Sequence, residues 1–318
     1  MTTLITNPKT SLRDRARALT VAALLATTLT VGGCTVANQA IRSDFTDFNG
    51  IMQFNQSQQM LLNLVRLHYR ELPMFLQAGS LTASYSSTAG GGASLGLAEG
   101  AASTYGLDLN YEVASKPTIS YTPIEGKAYV TQFMTEVSFE TFCLFVRAGW
   151  PVTKLFNLCV ERVTIDPAAP MRNHISAPSY GEFTALVAKL QAAQDTGQLG
   201  VVNVKGGFAI AVGTELLQGE SLQLRSLLDV MFVVSKNTET PEAHEGRVKE
   251  SQPNGQMNIH VSHTPPRDAV VWVQYSGYYF SIDNTDIPSK DTLGLLMQLF
   301  RIQAAPSTGA PLLTIPAR

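Results

Sequence analysis

The chain of 318 residues holds only three cysteines, five histidines and two tryptophans. Three thiols close at most one bridge, so a disulfide framework is excluded. No second Cys or His stands at ligand spacing beside any of them, which argues against a zinc site. The Gly-x-Ser-x-Gly nucleophile elbow is missing. Gly90-Gly91-Gly92 is followed by no Gly-Lys-Ser/Thr, so no phosphate loop forms there. Asp283 and Asp286 lack the alternating oxygens and the sixth-position Gly of a Ca²⁺ loop, and read as turn and helix-start residues. Lys and Arg, 23 against 25 Asp plus Glu, form no cluster, which excludes nucleic acid as a partner. No apolar run reaches the roughly 20 residues of a spanning helix. Charge is itself missing from residues 72–98.

What is present starts near the N-terminus. Lys9, Arg13, Arg15 and Arg17 precede an apolar stretch, 18–31, diluted by four threonines and followed by Gly32-Gly33-Cys34. That is the layout of an export signal. The junction Val31-Gly32-Gly33-Cys34 resembles the lipobox of bacterial lipoproteins. The resemblance implies that residues 1–33 are a signal peptide and that Cys34 is acylated on sulfur and becomes the mature N-terminus, with 34–43 as a tether. Thr35 stands where an Asp would imply inner-membrane retention, so the same resemblance implies the outer membrane, periplasmic face. Two or more acyl chains would hold firmly, at about 0.8 kcal/mol per buried CH₂. Four basic residues and Asp14 precede Cys34, which leaves 19 Lys plus Arg against 24 Asp plus Glu, a net charge of −5.

The remaining pattern predicts an α+β fold with an antiparallel sheet, because helices and strands are interspersed without a βαβ rhythm. Residues 44–123 read as a long helix and a Gly-rich β-hairpin, 124–197 as a helical segment, and 198–318 as an α+β segment; 44–318 can equally form one domain. The long helix spans 44–71, with Leu61, Leu64, Val65 and His68 on one face and Pro73 stopping it. His68 on that apolar stripe reads as a packing residue. From 105 to 113 the alternation is strict, with Tyr105, Leu107, Leu109, Tyr111 and Val113 on one face of a strand. An earlier strand carrying Leu81, Ala83 and Tyr85 is expected to pair with it. Two readings of this 79–113 hairpin stand: an amphipathic hairpin on the protein's own core, or a membrane-inserting element, which would require several copies in a ring.

Cys143 and Cys159 flank Gly149-Trp150-Pro151 at eight residues either side of Pro151. If the two flanking helices fold back antiparallel, the thiols either form a disulfide, worth about 3 kcal/mol for such a loop, or remain buried apolar thiols. Ser179 and Glu182 predict a capping box for the next helix, with Gly197 beyond its end. Hairpins are expected at Gly206-Gly207 and Ser276-Gly277, and helices starting at Ser226 and Ser289, the latter with Asp291 in its first turn. Residues 237–256 read as a long exposed loop with His244 solvated. His260 and His263, three apart on a strand, point to opposite faces and share no metal.

The segments "NQSQQMLLNLVRLHYRELPMFL", "TISYTPIEGKAYVTQF", "FVRAGWPVTKLFNLCVERV" and "YSGYYFSIDNTDIPSKDTLGLLMQLF", with "LLTIPAR", are similar to a family of uncharacterised predicted lipoproteins from proteobacteria. The resemblance implies an envelope location and no residue-level role. The expected function is that of a non-enzymatic outer-membrane lipoprotein, a scaffold or assembly subunit without cofactor or metal. Its expected partners are the membrane, through the anchor, and proteins or further copies of itself. The alternatives are an envelope hydrolase whose site draws on His174, His260 or His263, and an oligomeric pore built on the 79–113 hairpin.

Overall fold

Apolar residues three and four apart make helix α1, and the same spacing decides which face it buries. Leu61, Leu64, Val65 and His68 are all buried, as the stripe predicts. The computed structural model describes residues 48–96, 104–248, 255–303 and 313–314, with side chains described outside 78–119 and 313–314. Cys34 and the expected signal and tether lie outside these residues. Helix α1 covers 48–68. Residues up to Gln56 belong to one unit and those from Ser57 onward to another, which holds all the sheets.

The fold is α+β, with four three-stranded sheets among the described residues. In chain order the elements are β1 (Leu76–Gly96), β2 (Thr104–Pro123), α2 (Gly126–Tyr129) running into a π-turn (Val130–Met134), α3 (Phe139–Arg147), α4 (Val152–Cys159), β3 (Val160–Val163) and β4 (Met171–Arg172). Next come α5 (Tyr180–Asp195), β5 (Leu199–Val204), β6 (Gly207–Val212), β7 (Glu215–Gln218), β8 (Leu222–Leu224), α6 (Leu227–Ser235), β9 (His260–Ser262), β10 (Ala269–Tyr275), β11 (Tyr278–Asp283), α7 (Ile287–Gln303) and β12 (Leu313–Thr314). The sheets run β12-β1-β2, β4-β3-β8, β5-β6-β7 and β10-β11-β9; every pairing is antiparallel except β1 with β12. The expected hairpins turn where predicted, with Val204 opposite Gly207 and Tyr275 opposite Tyr278.

Helix ends follow local chemistry. Gly149 and Gly197 take positive φ after α3 and α5, and the residues beyond them reach back to the Phe145 and Ala193 carbonyls. This arrangement satisfies carbonyls that the last helical turn leaves open. α1 closes the same way, with Glu71 N–H on the Arg66 carbonyl, but its left-handed residue is Arg70. α6 begins with a full capping box between Ser226 and Asp229. Two expected caps are made differently. The Ser179 side chain makes no bond to the α5 backbone, because its hydroxyl accepts the Arg172 N–H at 3.1 Å. α7 starts two residues earlier than Ser289, with Asp286 accepting the Ser289 N–H at 3.1 Å. The Ser289 hydroxyl is buried, donates to Asp286 and accepts the Asn258 N–H.

One core unites the second unit. It gathers Met60, Leu61 and Leu64 from α1, Leu155 and Phe156 from α4, Val230 and Met231 from α6, Val271 and Phe280 from the β10–β11 hairpin, and Leu295 and Leu299 from α7. Cys143 and Cys159 join it as free, buried thiols, so of the two expected arrangements the structure shows the packed one. Equal spacing from Pro151 is not equal height: Cys143 stands four residues before the end of α3, about 6 Å, and Cys159 closes α4, about 10 Å along it. Burial pushes Cys143 up to about 11 and Cys159 up to about 12.

Candidate functional site

The most unusual element is the β1–β2 ribbon. Its register pairs Leu95, Ala93, Gly91, Ala89 and Ser87 with Tyr105, Leu107, Leu109, Tyr111 and Val113. Leu81, Ala83 and Tyr85 stand opposite Ile119, Pro117 and Ser115. The predicted partner strands therefore pair. At about 3.3 Å per residue, the 21 residues of β1 give a ribbon contour near 70 Å. Whether its apolar face packs on the protein's own core falls on side chains outside the described residues. Among the described residues, β12 is the one further strand hydrogen-bonded to this pair, and it meets β1 at Leu81 and Thr82. An extra residue in β1 between Ala78 and Leu81 bulges the ribbon just below that contact. Such bulges bend and twist a strand.

The root of the ribbon is fixed. Asn63, wholly buried in α1, donates to the Met74 carbonyl at 2.8 Å and accepts the Met74 N–H at 2.9 Å. Phe75 stacks on Phe133 with centroids 4.2 Å apart and on Phe300 at 5.4 Å, and Ile124 N–H bonds the Phe75 carbonyl. Around this root lie exposed apolar side chains: Leu72, Met74, Leu76 and Tyr121. A shallow cavity of about 660 Å³ opens between Arg66, Pro73, Ile124 and Tyr129.

Next to the root, Tyr69, His244 and Arg247 form a chain of polar contacts. His244 is not solvated, as its sequence context suggested; it is buried, because residues Glu242–Arg247 wind into a 3₁₀ turn that carries it under Tyr69. Arg247 holds His244 Nε2 at 3.1 Å, and Tyr69 Oη lies 2.8 Å from Nδ1. A guanidinium only donates. Nε2 therefore accepts, the neutral Nδ1–H tautomer follows, and Nδ1 donates to Tyr69. Tyr275 donates to Glu71, and burial together with that carboxylate pushes Tyr275 up to about 12. His68 Nε2 lies 2.8 Å from Thr240 Oγ1, and burial holds its imidazole below its usual range. These contacts tie the end of α1 to the β10–β11 turn.

The three histidines considered for a hydrolase are not drawn together. His260 pairs with Glu239 at 2.8 Å, and His263 lies against the Tyr278 ring at 4.8 Å. His174 lines a separate cleft of about 430 Å³ beside β3, β4 and α6. At its floor, buried Arg225 donates to the carbonyls of Asn157, Leu158 and Asn173, at 3.0, 2.8 and 3.1 Å. Asn173 in turn donates to the Phe156, Asn157 and Val160 carbonyls. Together they close the C-terminal end of α4, a role spread over residues 52 to 68 positions apart that no local pattern announces.

Asp283 accepts the Thr285 N–H and hydroxyl, and Asp286 starts α7, the turn and helix-start roles expected of them. Among the described residues no group of His, Cys, Asp and Glu is placed to hold a metal ion, and no helix is long and apolar enough to cross a membrane. Comparison with known proteins returns no match, whether to a family model, a curated protein or a solved structure.

Proposed function

We propose that the chain is a lipid-anchored, non-enzymatic subunit of a cell-envelope assembly, held through Cys34 at the periplasmic face of the outer membrane. The β1–β2 ribbon is its contact element. Support for the anchor comes from the lipobox-like Val31-Gly32-Gly33-Cys34 after a basic and then an apolar stretch. The observation that carries the assembly role is a long two-stranded ribbon set on a fixed root, with no strand on the outer edge of β2 among the described residues.

A two-stranded hairpin alone is marginal in water, and a free strand edge is a template for another chain. On the root side that edge is blunted by Lys116 and Pro117, the latter unable to donate to a ladder. The distal part, from Ser86 opposite Ala114 to Gly96 opposite Thr104, has no proline and carries only Asp108 and Glu112 as charges. It is the part suited to receive a partner strand, and another copy of the same ribbon supplies one. The apolar residues at the root extend the same contact surface.

The anchor is tested by palmitate labelling and membrane fractionation: label enters the protein, and Cys34→Ser abolishes labelling and releases the chain from the outer-membrane fraction. The ribbon is tested by replacing residues 87–113 with an Asn-Gly turn, which leaves Ser86 opposite Ala114. In detergent, the mass of the intact chain exceeds that of one copy or includes a partner, and the shortened chain falls to a single copy. A full-length chain that is already monomeric overturns the assembly reading. The distal half also matches the roughly 9–11 residues of one membrane-crossing strand. A ring of ribbons closing into a pore is the stronger form of the proposal, read by planar-bilayer conductance that disappears with the shortened ribbon.

A further inference from the structure

Between Asp47 and Arg66 the sequence carries no charged residue, and α1 starts inside that stretch, at 48. Its first residues nonetheless include four large apolar side chains. Ile51 and Phe54 are exposed, by 49% and 39%, and Phe48 and Met52 are half-buried. At 3.6 residues per turn these four fall on one arc of about 160°, with Asn55 the only polar residue of 48–56 inside it. Asn49, Gly50, Gln53 and Gln56 make up the opposite side. The arc is not the core stripe of α1 carried further towards the N-terminus. Projected back from Leu61 by 4, 8 and 11 residues, that stripe passes through Ser57, Gln53 and Gly50, and only Phe54 borders it.

Either a partner helix or lipid can cover such a face, and two observations select lipid. A coiled-coil partner needs an apolar stripe sustained over several heptads, whereas this arc runs into Gln58 and Gln59 after two turns. Phe48 stands 14 residues after Cys34, so at full extension the first turn of α1 lies within about 50 Å of the sulfur that carries the anchor. Tethering makes contact with the bilayer an intramolecular event, and contacts too weak to hold a free protein are then occupied. Amphipathic helices with aromatic and aliphatic residues on one side lie in the plane of the interface, that side about 5–10 Å into the boundary between headgroups and acyl chains. With no Lys or Arg between 48 and 65, such a contact depends on apolar burial and not on lipid charge.

We propose that the first two turns of α1 seat the protein on the bilayer that holds Cys34, with Phe48, Ile51, Met52 and Phe54 turned into the acyl boundary and Asn49 and Gln53 towards water. The inference rests on the anchor proposed above and is separate from the ribbon. The acyl chains fix where the protein is. The helix fixes how its first unit meets the surface.

The experiment puts an environment-sensitive nitrobenzoxadiazole label on Ile51→Cys or, as the opposite-side control, on Asn49→Cys, in the full chain expressed with residues 1–33 in a Gram-negative host and reconstituted into phosphatidylcholine vesicles. Both positions are exposed, and with Cys34 acylated and Cys143 and Cys159 buried the label enters the introduced thiol. A thermal melt of each labelled chain coinciding with the parent establishes that the fold is kept. At 51 the emission is several-fold stronger than at 49, is shifted to the blue and is quenched by doxyl-labelled phosphatidylcholine; at 49 it stays that of water. Added phosphatidylglycerol or salt changes neither. A label at 51 that reports water as at 49 overturns the proposal. So does a shift without doxyl quenching, which assigns a protein cover, or a shift that requires phosphatidylglycerol. The intact mass of the same samples separates this proposal from the anchor. An acylated chain whose label at 51 reports water overturns the seat alone, and a chain without acyl groups overturns the anchor and the seat with it.

Discussion

The hairpin β10–β11 is short, seven and six residues, while the ribbon β1–β2 runs to 21 and 20. The short one buries Val271, Val273, Phe280 and Ile282 in the core. The long one pairs with itself and touches β12 at two residues. Strand pairing supplies register in both; core packing adds to it in the short hairpin, and in the proposed assembly a partner strand would add to it in the long one.

The contrast can be broken most forcefully in the packed hairpin. Phe280→Ala, at a wholly buried position, costs about 3–5 kcal/mol in urea unfolding; a loss below 1 kcal/mol would remove the distinction. Asn63→Ala strikes the junction of the two regions. It strips both bonds from the Met74 backbone and costs about 2–3 kcal/mol, with amide exchange accelerated at residues 74–77. Tyr69→Phe removes only the hydroxyl that receives the His244 proton, and about 1 kcal/mol is expected by thermal melting. If the ribbon is the contact element proposed, replacing residues 87–113 by a turn should change urea stability of the monomeric body by less than about 1 kcal/mol.

The smallest effect is one of pH. Burial depresses His68 in the folded state, so the unfolded chain binds this proton more readily. Stability from the neutral ring is present above the unfolded value near 6.5 and is lost as pH falls below it. Urea midpoints at pH 7.5 and 5.5 check this, and His68→Gln should flatten the difference. Native Cys143 and Cys159, raised and buried, resist thiol reagents until denaturant is added.

Much of the fold was readable where the cause is local. Period two in 105–113, the helix-ending Gly149 and Gly197, and the turn at Ser276-Gly277 each depend on neighbouring residues, and each appears where expected. Signals failed where a distant group competed for the same atom. Ser179 was spoken for by Arg172, and Asp286 displaced Ser289 as the start of α7. His244 sat in a segment without periodicity, and only Tyr69, 175 positions away, reveals why it is buried. The cleft was hidden for the same reason. Arg172 and Arg225 lie far apart in sequence and meet only because β3 pairs with both β4 and β8.

Asn63 and Phe75 hold the base of a lever about 70 Å long. A tilt of about 5° there sweeps the far end through about 6 Å, more than one inter-strand spacing. Aim thus belongs to one amide and one ring at the fulcrum, and in the proposed assembly they would decide which neighbour's edge the far end meets.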